Sequence, residues 1–208
     1  MSIHIRNYSR KDIKALRRMS RKAWPLEKYT SHARIKKHMY AIETNEALLY
    51  GNYSLSAEKN GEVIGVLFAS IPGRKRPFHA LKWKLIIAWH LLNLSLVKEG
   101  RKLLGAFKQV ERGFKQMKRE NDVSLESALE LFIVDDRFRG EGIGKRLIER
   151  FEDTAREKGV ESYFLFTDSD SSYGYYDHNG YERIDEKTFT FPGVQAMRFK
   201  LYMYHKEI

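Results

Sequence analysis

Residues 134–147 read VDDRFRGEGIGKRL, and they decide the fold. Upstream, Ser124–Val134 has strand character and ends in LFIV. Downstream, KRLIERFEDTAREKG is an amphipathic helix, with Leu147, Phe151 and Ala155 at i, i+4 and i+8 and Gly159 closing it. A turn from strand into helix points free backbone N–H groups outward, because the first helical turn has no internal acceptors for them. The positive end of the helix dipole adds to this. Gly140, Gly142 and Gly144 carry no Cβ, so an anion can approach the backbone closely, and Arg139 and Lys145 bring cationic side chains. The expected guest is a pyrophosphate.

Working outward, IHIRNY at 3–8 reads as a first strand, and Ser9 or Asp12 caps a basic helix that Pro25 stops after Trp24. Residues 29–47 give a second helix with a loop. Tyr53–Lys59, Asn60-Gly61 and Glu62–Ile71 form a hairpin, since Asn-Gly supplies the positive-φ pair of a type I′ turn; Pro72-Gly73 ends its second strand. Residues 73–123 change character. Leu103, Phe107, Val110, Phe114 and Met117 make one helical seam, and Leu81, Leu85, Ala88 and Leu92 make another, with Gly100 expected as a C-cap between them. Ser162–Thr167 is a buried strand, and Glu182–Phe191 with Val194–Tyr204 is a hairpin around Pro192-Gly193. In the last strand Met197, Phe199, Leu201 and Met203 alternate with Arg198, Lys200 and Tyr202, so one face is expected to be wet. The order predicts a mixed α/β (α+β) sheet with one crossover helix, residues 1–208 forming one domain with a helical hairpin inserted at 73–123.

Three nucleotide-site patterns compete for the glycine turn. A P-loop requires Ser or Thr after Gly-Lys, and Arg146 stands there. A Rossmann fingerprint requires G-x-G-x-x-G, and the spacing is G-x-G-x-G. The pattern R/Q-x-x-G-x-G/A fits, through Arg139, Gly142 and Gly144, and here the sequence resembles the GNAT acetyltransferase superfamily. A second phrase agrees: Tyr175-Tyr176-Asp177-His178-Asn179-Gly180-Tyr181 matches the family's aromatic-Tyr-x-x-x-Gly-aromatic segment. The resemblance covers 124–208 well and 1–72 weakly. It departs where members carry an Asn and an Ala, at about Ser169 and Ser172.

The resemblance implies a GNAT-type acyl-coenzyme A N-acyltransferase fold in which the strands ending at Val134 and Thr167 splay apart around the pantetheine arm. It implies that Arg139, Gly140, Glu141, Gly142, Ile143, Gly144 and Lys145 hold the coenzyme diphosphate, that main-chain groups of Ile133 and Val134 pair with the arm, and that Tyr176 protonates the leaving thiolate. Acetyl-coenzyme A is the implied cosubstrate and a small-molecule or peptide amine the implied acceptor. An attacking amine must lose a proton. Glu126 and Glu130, placed on one strand face by period-2 spacing, are the candidates to take it through water, Glu130 first. His178 reads as a surface residue.

Composition bounds the rest. Cysteine is absent, which removes disulfides and thiolate metal sites and permits a reducing compartment; a cytoplasmic location is the expectation. MSIHIRNYSRKD lacks the apolar run of a signal peptide, and Leu85–Val97 is too short an uncharged stretch to span a bilayer. No zinc or calcium ligand spacing is present. The net charge of +11 is concentrated: 12 Lys/Arg against 2 acids in 1–40, and 13 against 4 in 73–123. Such a field attracts anions, or serves solubility alone. A basic nucleic-acid-binding module is one alternative, disfavoured because no RNP, KH or helix-turn-helix pattern accompanies the charge. A sensor that binds acyl-coenzyme A without turnover is another. For the helical hairpin, packing within the chain leads. A homodimer contact, a lid over the acceptor site and a membrane-surface helix, with Trp83 and Trp89 beside Arg74, Lys75, Arg76, Lys82 and Lys84, are the other uses open to it.

Overall fold

The computed structural model describes residues 2–74, 80–121, 123–191 and 197–208. The turn expected at Pro192-Gly193, the strand start at Val194 and the basic residues Lys75 and Arg76 lie outside them. The chain runs β1 (His4–Asn7), α1 (Ile13–Ala23), α2 (Ala33–Tyr50), β2 (Tyr53–Lys59), β3 (Glu62–Ser70), α3 (Ala80–Ser95), α4 (Lys98–Glu120), β4 (Ala128–Val134), α5 (Ile143–Arg156), β5 (Ser162–Asp168), α6 (Gly174–Asp177), β6 (Glu182–Phe191) and β7 (Met197–Glu207). The strands form one sheet in the order β1-β2-β3-β4-β5-β7-β6. Every neighbouring pair is antiparallel except β4–β5, which α5 joins as the crossover.

Local chemistry sets the boundaries. The Ser9 N–H donates to Asp12 Oδ2 at 2.9 Å, opening the turn that leads into α1. Asn60 and Gly61 both have positive φ, 54° and 77°, as the tight hairpin turn requires. Strand β3 is buried along Val63–Ala69 because helices cover both of its faces. On one face, Leu147, Phe151 and Ala155 of α5 pack on Tyr53, Leu55, Ile64, Leu67 and Tyr163. On the other, Leu16 and Met19 of α1 and Ala47 of α2 meet Val66, Phe68 and Ile133. Helix α4 extends that second layer, its Met117 lying on Ala128, Phe164, Leu201 and Met203.

Three expectations are corrected here. Strand β7 is wet only in part on the face expected to be so: the Lys200 side chain is 45% exposed, but Tyr202 and Tyr204 are buried in the α5 layer, while Leu201 and Met203 lie under α4. Gly100 is no C-cap. It lies within the first turn of α4, buried where the chain doubles back, and an added Cβ would collide with the Leu94 carbonyl oxygen. The α4 seam is also shifted: Leu103, Ala106, Gly113 and Met117 are buried, whereas Phe107 is exposed.

The Gly100 contact is with main chain, which cannot rotate aside. Gly100→Ala should therefore lower unfolding stability by about 1–3 kcal/mol, read as a lower urea midpoint at unchanged slope.

Candidate active site

The site begins with a failure of pairing. Strands β4 and β5 are in register only at Ala128↔Phe164 and Leu129↔Leu165. Glu130 is the extra residue of a bulge, since Ala69 faces Leu129 and Phe68 faces Leu131. Past the bulge β4 stays on β3 and leaves β5. The gap opens into a cleft of about 820 Å³, within the range of small-molecule sites.

Main-chain groups of β4 line this gap selectively. The Asp135 N–H donates to the Ile64 carbonyl at 2.8 Å. By the alternation of an antiparallel ladder, Ile133 is also turned to β3, so Phe132 and Val134 turn their N–H and C=O groups into the gap. Val134 keeps its expected orientation. Ile133 does not, and Phe132 takes its place.

The turn beyond β4 is held by a residue that the sequence reading passed over. The buried Asp135 carboxylate accepts from the Arg137 backbone N–H at 3.2 Å, from its Nε at 3.0 Å and from its Nη2 at 2.9 Å. These bonds to Arg137 hold Asp135 well below the usual carboxylate range. Gly140 and Gly142 follow with φ of 83° and 74°, and Gly142 caps α5 in the left-handed region. Gly144 serves packing instead: a Cβ there would stand 3.0 Å from the Phe132 ring. The first backbone bond of α5 runs from Arg146 N–H to Gly142 C=O, at 3.1 Å. The amides of Ile143, Gly144 and Lys145 thus precede any intrahelical acceptor.

The cleft brings together Glu130, Ile133, Val134, Arg139, Gly140, Gly142, Ile143, Gly144, Lys145 and Tyr176. Glu141 stands apart from its lining: its side chain pairs with Lys59 at 2.6 Å. Tyr176 is buried among the rings of Tyr175, Tyr181 and Tyr204. The hydroxyls around it are committed, Tyr163 with Tyr181 at 2.7 Å and Tyr204 to Asp177 at 2.6 Å. Burial, with Tyr175 and Tyr204 adding to it, pushes the Tyr176 phenol well above its usual range, so it stays protonated.

Glu126 is a correction. It lies in the bend before β4, so it shares no strand face with Glu130. His178 is exposed as expected, its Nδ1 2.6 Å from the Gly174 carbonyl oxygen. Ser169 ties the end of β5 to β7 through Lys200, and Tyr175 N–H donates to the Ser172 carbonyl at 3.1 Å at the start of α6. The opposite wall comes from the first helices. Trp24 Nε1 donates to Ser171 Oγ at 2.9 Å, and Tyr29 Oη donates to Asp170 at 2.7 Å. Lys22, Lys28 and Asp168 complete it. No local motif marks these residues, because they meet only through the sheet.

A family model described as "Acetyltransferase (GNAT) domain" matches residues 82–203, a span that takes in α3 and α4 as well as the glycine turn. Among solved structures, the fold is similar to that of Ard1 from Thermoplasma volcanium, at 17% identity over 100% of this chain and 99% of that one, with a TM-score of 0.53. It is similar to the ribosomal-protein-S18-alanine N-acetyltransferase from Escherichia coli, at 12% identity over 100% and 94%, TM-score 0.54. It is also similar to the PaiA N-acetyltransferase from Thermoplasma acidophilum in complex with coenzyme A, at 16% identity over 100% and 100%, TM-score 0.53. Such identities establish a shared fold. No curated protein matches the chain.

One acid near the cleft wall is in an unfavourable setting. Glu43 occupies the i+4 step of the α2 stripe Ile35, Met39, Glu43, Ala47, and its Oε1 is buried with no hydrogen-bond partner among the described residues. Burial, with Glu46 and Asp168 adding repulsion, pushes its carboxyl from 4.5 up to about 8. The folded chain therefore holds this proton more tightly than the unfolded chain does. Stability from this group is full below about pH 4.5 and falls as pH rises through about 8, by at most about 1.4 kcal/mol per pH unit. Glu43→Gln, which cannot ionise, should narrow the gap between thermal midpoints at about pH 5 and about pH 9, mainly by raising the alkaline one.

Proposed function

The chain belongs to the GNAT acetyltransferase domain family, and on that premise we propose that it moves an acetyl group from acetyl-coenzyme A to a primary amine of a small molecule or peptide. The observation that carries the reading is the parted pair β4–β5, with bare helix amides at one end of the gap and a protonated phenol in its wall. The PaiA structure, of the same fold, holds coenzyme A, which supports the choice of cosubstrate.

The residues fit such a guest. The amides of Ile143, Gly144 and Lys145 and the side chains of Arg139 and Lys145 would hold a diphosphate, because unpaired N–H donors and cations converge there. Phe132 and Val134 would pair through main chain with the amides of the pantetheine arm, as an added strand does. When bound, the coenzyme supplies an acyl group already activated as a thioester. The amine nitrogen bonds to the acyl carbon, the carbon–sulfur bond breaks, and Tyr176 gives its hydroxyl proton to the departing sulfur. Glu130, exposed at the bulge and lining the same cleft, takes the proton that the amine loses, through water. Trp24, Lys28 and Asp170 border the space left for the acceptor. On this reading residues 1–208 act as one domain, with α3 and α4 inserted in it.

Titration calorimetry with coenzyme A should show saturable uptake. Gly142→Ala, which forces an L side chain into the left-handed region, should weaken it about tenfold. Tyr176→Phe should keep coenzyme affinity and slow amine-dependent thiol release by roughly 100-fold or more. Absence of coenzyme uptake by the unaltered chain would overturn the reading.

A further inference from the structure

Helix α3 is docked by one face and bare on the other. Ile87 and Leu94 are buried, and His90 Nδ1 lies 2.8 Å from His38 Nδ1 of α2. The opposite face carries large apolar side chains in the open: Leu81 is 69% exposed, Leu85 62%, Trp89 54% and Leu92 59%, and Leu96 just beyond the helix is 66% exposed. With Ala88, also exposed, they lie within about 100° of arc at 100° per residue. The stripe therefore faces outward, which corrects the expectation that it packs within the chain. Isolated exposed leucines are ordinary, but a continuous row along a helix is a contact surface.

The charges beside the row point to what it meets. Lys82 flanks it on one side and Lys84 on the other, both exposed, and α3 contains no Asp or Glu. Exposed Arg34, Lys98, Arg101 and Lys102 surround its C-terminal end, where Glu99, also exposed, accepts from the Thr30 hydroxyl and is outnumbered by these cations. A second copy of this face would bring cations against cations. A bilayer surface with anionic headgroups supplies both requirements, an apolar layer for the row and negative charge for its flanks. No helix among the described residues is long and apolar enough to cross a membrane, so the contact is one of lying on the surface.

We propose that the outward face of α3 docks the protein on an anionic lipid bilayer, with Leu81, Leu85, Trp89 and Leu92 entering the interface and Lys82 and Lys84 meeting headgroups. The test is flotation of the full chain with phosphatidylcholine vesicles, with and without phosphatidylglycerol. Binding should require phosphatidylglycerol and fall as salt rises. Leu85→Glu/Leu92→Glu should weaken it about 100-fold or more with the thermal midpoint kept, because only exposed side chains change. Lys82→Gln/Lys84→Gln should weaken it roughly 30-fold. Two results overturn the proposal: no partition into anionic vesicles, or a dimer in sedimentation that Leu85→Glu/Leu92→Glu dissociates.

Discussion

The site depends on two strands that pair over two residues and then part. Inside a sheet, a parallel neighbour ordinarily satisfies every main-chain donor and acceptor along its edge. Here the Glu130 bulge keeps β4 on β3 while β5 diverges, and the groups of Phe132 and Val134 are left facing open space. Buried polar groups without partners are costly, so such an edge persists only where water or a ligand can reach it. The same parting determines the helix that follows. Helix α5 must return across the sheet from the end of β4 to the start of β5, which sets its N-terminus at the mouth of the gap. The bare Gly144 lets it settle against Phe132.

The positive charge divides into two kinds. Much of the first basic segment is answered within the fold: Arg6 by Asp12 and Glu58, Arg18 by Glu62 and Asp135, Lys22 by Asp136. It orders α1 and frames the cleft, where Lys22 and Lys28 also stand. The second segment is spread over α3 and α4. Partners occur on α4, where Lys115 meets Glu111, whereas Lys82 on α3 lies over the Trp83 ring. A single net charge hides this difference between structural and surface cations.

What was legible in the sequence was local. Asn60-Gly61, the glycine turn with α5, and the SYFLFT strand depend on neighbours within a few residues, and each stands where its pattern put it. The parting of β4 from β5 was implied by the family resemblance, whereas the strand order of the sheet was not read from the sequence; the turn residues and Tyr176 line one cleft apart from Glu141. What failed was non-local. The α3 stripe has the same periodicity whether it faces a core or the outside, and only the position of α2 decides between them. Strand β7 alternates like a half-wet strand, yet Tyr202 and Tyr204 are buried on the α5 side and Leu201 and Met203 under α4, helices that reach it from elsewhere in the chain. The parity of Ile133 against Phe132 depends on the β3 register. The burial of Glu43 came from the packing around α2 and had no local signature.

Asp135 has a consequence that reaches past stability. Its carboxylate, fully buried and bound three ways by Arg137, fixes the chain where it leaves β4, and Arg18 ties α1 to the same point. The glycines that follow would otherwise sample many conformers, since glycine loses more freedom on ordering than any other residue. Clamped at its entrance, the turn surrenders that freedom when the chain folds rather than when a guest arrives. An anion then meets a rigid receptor, and encounter needs little rearrangement.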